Sequence, residues 1–367
     1  MEQRKKKARL VLEDGSSFEG WSFGALLSTS GEVVFTTGMA GYPQSLTDPS
    51  FAGQILVSTY PLIGNYGVPS QERDAFGIER NFESGRIWAR GFVAQEACWR
   101  PSHHASVESL PSWLERSLVP GVEGIDTRRL TQHLRDSGTM GGRIEVEGSP
   151  QASVGESAAS LEPRLYGSGS GPLVALVDCG VKNNILRCLL SRGLRVLRVP
   201  CEADFSGLEY DGILLSNGPG DPKSYSHAIA FARQALRGTK PVFGICLGNQ
   251  IMALAAGGDT YKLLYGHRGQ NQPCVDLGSG RCHITSQNHG YAVRGESLPG
   301  GWETWFVNGN DGTIEGIRSR EGPFYAVQFH PEGCPGPRDT EYLFDRFAAD
   351  LAAQAGSGAK LGLKVAS

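Results

Sequence analysis

No stretch of the sequence approaches the roughly 18 to 20 consecutive apolar residues that a membrane-spanning helix requires, so an integral helical membrane protein is excluded. No lysine or arginine run extends beyond the first nine residues, and 35 Lys+Arg against 38 Asp+Glu leave a formal charge of -3. Nucleic-acid binding by bulk counterion release is thereby excluded. Met1 to Leu10 is basic but runs straight into Val11-Leu12-Glu13-Asp14-Gly15, with no apolar core and no small-residue cleavage site. No signal peptide is expected. The eight cysteines include no Cys-x-x-Cys pair, and a chain of 367 residues needs no covalent staples. A soluble protein of the reducing cytoplasm, with no structural metal, is the expectation. There is no internal repeat, and the 50 glycines, about twice the ordinary share of roughly 7%, cluster in turns.

At about 150 residues per domain the length corresponds to two domains. Gly148 to Pro172 is rich in Ser, Gly, Ala and Pro and lacks apolar periodicity, which predicts a linker. The expected division is a first domain over 1–147, the linker over 148–172, a second domain over 173–350 and a frayed tail over 351–367. The first domain shows short alternating runs, such as Glu32-Val33-Val34-Phe35 before Thr36-Thr37-Gly38, with Leu130 and Leu134 at helical spacing in 127–136. A smaller, β-rich α+β domain is predicted. After the linker, strand and helix alternate: strands at 173–178, 194–199, 212–216 and 241–245, helices at 183–192, 226–236 and 247–256. This rhythm predicts an α/β domain, a mostly parallel sheet covered by helices. Beyond Asp259 the pattern returns to strands and hairpins.

Gly244-Ile245-Cys246-Leu247-Gly248 sits where an apolar strand meets a helix and has the form of a nucleophile elbow with cysteine in place of serine. Glycines on both sides suit a tight turn in which backbones meet. The helix N-terminus directs free N–H groups at the sulfur and favours a thiolate. Phe329-His330-Pro331-Glu332 follows the apolar run Phe324 to Phe329. In extended chain, residues i and i+2 point the same way, so the Glu332 carboxylate can hold one ring nitrogen of His330 and leave the other for a thiol. Ser216-Asn217-Gly218-Pro219-Gly220-Asp221-Pro222 is a rigid loop whose backbone N–H groups, with that of Leu247, suit an oxyanion.

On GICLG, NGPGDP and FHPE in this order, residues 173–349 resemble the class I, triad-type glutamine amidotransferases. LEDGSSFEGWSFGA (12 to 25), GEVVFTTGMAGYPQSLTDPSFAGQI (31 to 55), TYPLIGNYGV (59 to 68) and GIDTRRLTQHLR (124 to 135) are similar to the small-subunit family of carbamoyl-phosphate synthetases. The resemblance implies hydrolysis of L-glutamine through a glutamyl thioester by Cys246, His330 and Glu332. It also implies delivery of ammonia to a large subunit, which would carry ATP and magnesium, with no cofactor in this chain. By the same analogy Gly218, Gly220 and Leu247 serve the oxyanion. Gln250, Asn288, Gly290 and Tyr291 bind the α-amino and α-carboxylate groups of glutamine, and Ser50 reaches over from the first domain.

Two positions and one stretch depart from the family pattern: Asn249 stands where histidine is usual, Tyr291 where phenylalanine is usual, and residues 266 to 273 differ from a GHHGGNHP form. Asn249 cannot carry a proton. The triad is untouched, which predicts a working glutaminase. Two other readings stay open. One is a hydrolase whose acid is Asp259, Asp276 or Asp311; the other is an impaired or non-catalytic partner subunit, kept alive by Asn249 and the 266–273 stretch.

Overall fold

Along Lys7–Leu12 the side chains of Ala8, Leu10 and Leu12 are buried, while Lys7 and Arg9 are exposed, as a half-buried strand requires. The computed structural model describes residues 5–152, 158–159 and 162–360. These fall into two units, one of Met1–Ser157 with Leu264–Gly269, the other of Ala158–Leu263 with Gln270–Ser367.

The first unit is built on seven strands that close into a barrel, in the order Lys7–Leu12, Ser17–Gly24, Pro120–Glu123, Gly91–Val93, Gln54–Ser58, Thr29–Thr36 and Met140–Val146. The last strand returns to pair antiparallel with the first. Closure removes the open edges and refines the expected β-rich domain into a barrel. The helix expected from Leu130 and Leu134 is Thr127–Ser137, capped by the Asp126 carboxylate, with both leucines buried.

The second unit carries a ten-stranded sheet in the order Arg164–Tyr166, Arg195–Pro200, Leu173–Asp178, Gly212–Leu215, Val242–Ile245, Phe324–Val327, Ile314–Ser319, Cys282–Arg294, Asp259–Asp276 and Trp302–Asn308. Five neighbouring strands, from Arg195–Pro200 to Phe324–Val327, are parallel. The inner runs Leu173–Asp178, Gly212–Leu215 and Val242–Ile245 are apolar and buried on both faces, as parallel strands between helices must be. The strands beyond Phe324–Val327 form an antiparallel extension, so the sheet is mixed rather than mostly parallel.

Phe243 and Tyr325 point to the face where Phe344 and Phe347 of the helix Tyr342–Lys360 pack. Gly244 and Ala326 point to the other face, against the helix Leu247–Ala256. Two differences from the sequence reading follow. Within 148–172, Arg164–Tyr166 pairs antiparallel with Arg195–Pro200 and is an edge strand, not linker. Past residue 350 the last helix continues to Lys360. The expectations for residues 1–4, 153–157, 160–161 and 361–367 lie outside the described residues.

Candidate active site

Because Leu173–Asp178, Gly212–Leu215, Val242–Ile245 and Phe324–Val327 are parallel, their carboxyl ends lie along one edge of the sheet. Ligand sites of open α/β sheets form at that edge. It receives Gly180 to Lys182, the loop Ser216 to Asp221, Cys246, and His330 with Glu332.

Cys246 is the N-cap of Leu247–Ala256 and has φ 55° and ψ -104°, in a region that side-chain-bearing residues rarely adopt. The turn is held by Cys246 N–H donating to the Val327 carbonyl at 2.8 Å. Both flanking glycines are required by space: a Cβ on Gly248 would lie 2.1 Å from the Leu215 carbonyl oxygen, and one on Gly244 2.6 Å from that of Gly248. The buried thiol donates to the Asn288 carbonyl at 3.6 Å. Asn288 belongs to the strand Cys282–Arg294, which passes beside the His330 segment, where His330 N–H donates to the Ser286 carbonyl at 2.9 Å.

His330 Nδ1 lies 2.7 Å from Glu332 Oε1, and both side chains are buried. The same carboxylate oxygen accepts from Lys182 Nζ at 2.9 Å. Lys182, itself only 2% exposed, also donates to the Gly333 carbonyl at 3.0 Å. Burial would push the Glu332 carboxyl up, but the Lys182 ammonium and the His330 ring outweigh it and hold the group at about 2. Burial likewise favours the neutral form of His330. The Glu332 carboxylate overrides it, against an opposing push from Lys182, and with help from Cys246 raises the ring to about 10. An ionised carboxylate only accepts, so Nδ1 carries the hydrogen. Nε2 has no hydrogen-bond partner among the described residues. Cys246 is close enough to help raise the ring.

Lys182 is the main residue that sequence reasoning missed. It precedes the helix Asn183–Leu190 and reads there as an ordinary surface lysine; only its position just past a buried parallel strand was a signal. Asn184 was missed too, and its amide donates to the Glu332 carbonyl at 2.6 Å. The loop with Gly218 and Gly220 is tied to the same assembly, since Asn217 Oδ1 accepts from Lys182 N–H at 3.1 Å. A Cβ on Gly218 would lie 2.3 Å from the Cys179 carbonyl oxygen.

Gln250 is buried on the elbow helix and donates to the Tyr291 carbonyl at 2.8 Å. Asn288, Gly290 and Tyr291 therefore flank the elbow from within a strand. Ser50 belongs to the first unit, in the short turn Pro49–Phe51, where its N–H donates to the Asp48 carboxylate at 2.9 Å. Asn249 faces neither Glu332 nor His330 through a hydrogen bond; its amide donates to Gln328 Oε1 at 3.1 Å. Of the alternative acids, Asp259 pairs with Lys223, Asp276 holds the turn at Gly278 and Ser279, and Asp311 accepts from Thr313. The acid on His330 is Glu332.

Residues 175–349 match the family Glutamine amidotransferase class-I, and residues 10–144 match Carbamoyl-phosphate synthase small chain, CPSase domain. The Carbamoyl phosphate synthase arginine-specific small chain of Eremothecium gossypii is 47% identical over 365 residues, covering 93% of this chain and 91% of that protein. The Multifunctional protein CAD of Squalus acanthias is 47% identical over 352 residues, 93% of this chain and 16% of that protein. The Multifunctional protein pyr1-3 of Dictyostelium discoideum is 45% identical over 377 residues, 95% of this chain and 17% of that protein. This chain spans only about a sixth of the multifunctional relatives but nearly the whole of the separate small chain. On these matches the chain belongs to the carbamoyl-phosphate synthase small-chain family.

Proposed function

We propose that this chain hydrolyses L-glutamine to glutamate and ammonia and passes the ammonia to a carbamoyl-phosphate synthase large chain. The observation that carries the reading is the buried His330, held on Glu332 at 2.7 Å and made strongly basic beside a strained cysteine. With the ring raised to about 10, His330 holds at Nε2 the proton it shares with Cys246, and the sulfur attacks the amide carbon as the thiolate of that ion pair. The oxyanion is met by the N–H of Leu247 in the first helical turn, where N–H groups have no partner within the helix, and by the Gly218 to Gly220 loop. The imidazolium protonates the departing nitrogen and leaves a glutamyl thioester. The neutral ring left behind then takes a proton from the attacking water, the thioester C–S bond breaks, and glutamate is released with the thiolate–imidazolium pair restored. Glu332 stabilises the imidazolium and stays ionised throughout. Gln250, Asn288, Gly290 and Tyr291 hold the α-amino and α-carboxylate groups.

This chemistry needs no cofactor in the chain, and ATP and magnesium are assigned to the large chain. Free ammonia would be protonated by water, so a sheltered route to a second site is the reason for association. The first domain is the docking side, no nucleic acid or membrane is a partner, and the complex is cytoplasmic. The test is glutamate release by the full chain with a cognate large chain, bicarbonate and ATP. Weak activity of the chain alone, rising on addition of the large chain and abolished in Cys246→Ser, is expected; a rate no better than that of Cys246→Ser overturns the reading.

A further inference from the structure

Gln328 is fully buried two residues before His330 in the same extended run, and it takes no part in the chemistry described above. Its N–H donates to the Glu315 carbonyl at 2.8 Å, which fixes the backbone. Its Oε1 accepts from Asn249 Nδ2 at 3.1 Å and from Gln250 Nε2 at 3.1 Å. Gln250 Nε2 also donates to the Tyr291 carbonyl at 2.8 Å. An amide nitrogen has two hydrogens, and both are now committed within the protein. The atom of Gln250 left for a ligand is its oxygen, an acceptor.

We propose that Gln328 is a positioning residue for substrate recognition: with Asn249 it fixes the Gln250 amide so that the oxygen meets the α-ammonium group of glutamine. The inference rests on the glutaminase reading and deepens it. Turning the Gln328 amide over would set its NH2 against the two NH2 groups that now donate to it, so the network selects one orientation. Among the described residues its own Nε2 has no hydrogen-bond partner, and the side chain is held there through its oxygen. The strand extension that ends in the catalytic imidazole thereby also sets the polarity of the substrate pocket, since residues i and i+2 share a face. Asn249, where the family usually has histidine, serves as the second donor that pins the Gln328 oxygen.

The experiment compares L-glutamine with glutaramate, the same amide without the α-amino group, in the full chain and in two variants. Gln328→Met keeps the volume and removes the acceptor; Gln328→Glu keeps acceptor oxygens. Losing a hydrogen bond to a charged group corresponds to about a ten- to hundredfold effect. In Gln328→Met, KM for L-glutamine is therefore expected to rise about ten- to hundredfold, while kcat and the kcat/KM for glutaramate stay unchanged. Gln328→Glu is expected to retain most of the preference for glutamine. Labelling of Cys246 by iodoacetamide, unchanged in both variants, reports that the fold and nucleophile are intact. An equal loss on both substrates, an unchanged KM, or loss of the preference in Gln328→Glu as well as in Gln328→Met overturns the inference. Failure of the glutaminase reading is visible separately, as an unaltered Cys246→Ser control against wild type.

Discussion

Burial alone would strip the proton from His330 and neutralise Glu332; each keeps the other charged, and Lys182 helps hold Glu332 ionised while opposing the charge on His330. Removing one member of such a buried set leaves the others uncompensated. Lys182→Met is expected to lower unfolding stability by about 3–5 kcal/mol, read from urea denaturation, and to impair glutamine hydrolysis by loosening Glu332. Glu332→Gln removes the main charge that raises the ring, so the His330 titration followed by NMR is expected to move down from about 10 toward its ordinary 6.5. At this scale the sequence made Cys246, His330 and Glu332 legible, because a glycine-flanked cysteine and a His-Pro-Glu triplet are local patterns. Lys182, Asn184 and Gln328 were not legible. Their roles depend on residues far away in the chain, and nothing in their neighbours' identities distinguishes a buried, paired lysine from a solvated one.

The elbow stores strain because a residue with a Cβ occupies φ 55°. Such conformations cost of order 1–3 kcal/mol, and glycine adopts them freely. Cys246→Gly is therefore expected to be more stable than Cys246→Ala by about 1 kcal/mol, measured by thermal or urea unfolding, with both variants inactive. Relief of strain in that comparison isolates the backbone term from the lost thiol. Gly248→Ala acts the other way, since its Cβ would meet the Leu215 carbonyl at 2.1 Å. It is expected to cost at least about 1–3 kcal/mol and to displace the thiol, seen as slower labelling of Cys246. The helix Leu247–Ala256 was fully readable from its sequence because its ends are set by the elbow and by Gly257. Residues 286–291 lie in the strand Cys282–Arg294 through pairing within the sheet, and pairing partners are not local information.

For the chain as a whole, the two shifted groups set opposite limits on stability with pH. Glu332 is lowered from 4.5 to about 2, so its contribution is complete above 4.5 and is lost as pH falls through about 2. His330 is raised from 6.5 to about 10, so its contribution is complete below 6.5 and is lost as pH rises through about 10. Unfolding free energy from chemical denaturation is expected to decline in both windows, and Glu332→Gln is expected to flatten both declines. An unchanged alkaline slope in that variant would show that the ring is not held by the carboxylate.

Composition, the strand–helix rhythm and three short motifs were enough to determine by themselves the α/β character of the second unit and the residue types of its chemistry. Those signals arise from interactions within a few residues. Tertiary structure alone decided that the first unit's strands close, because closure needs Met140–Val146 to pair with Lys7–Leu12. It also decided that Lys182 meets Glu332 from 150 residues away and that one buried glutamine orients another from 78. The physical reason is common to all three: buried polar groups and strand edges must be satisfied by whichever partners the fold brings near, and sequence separation carries no record of who those partners are.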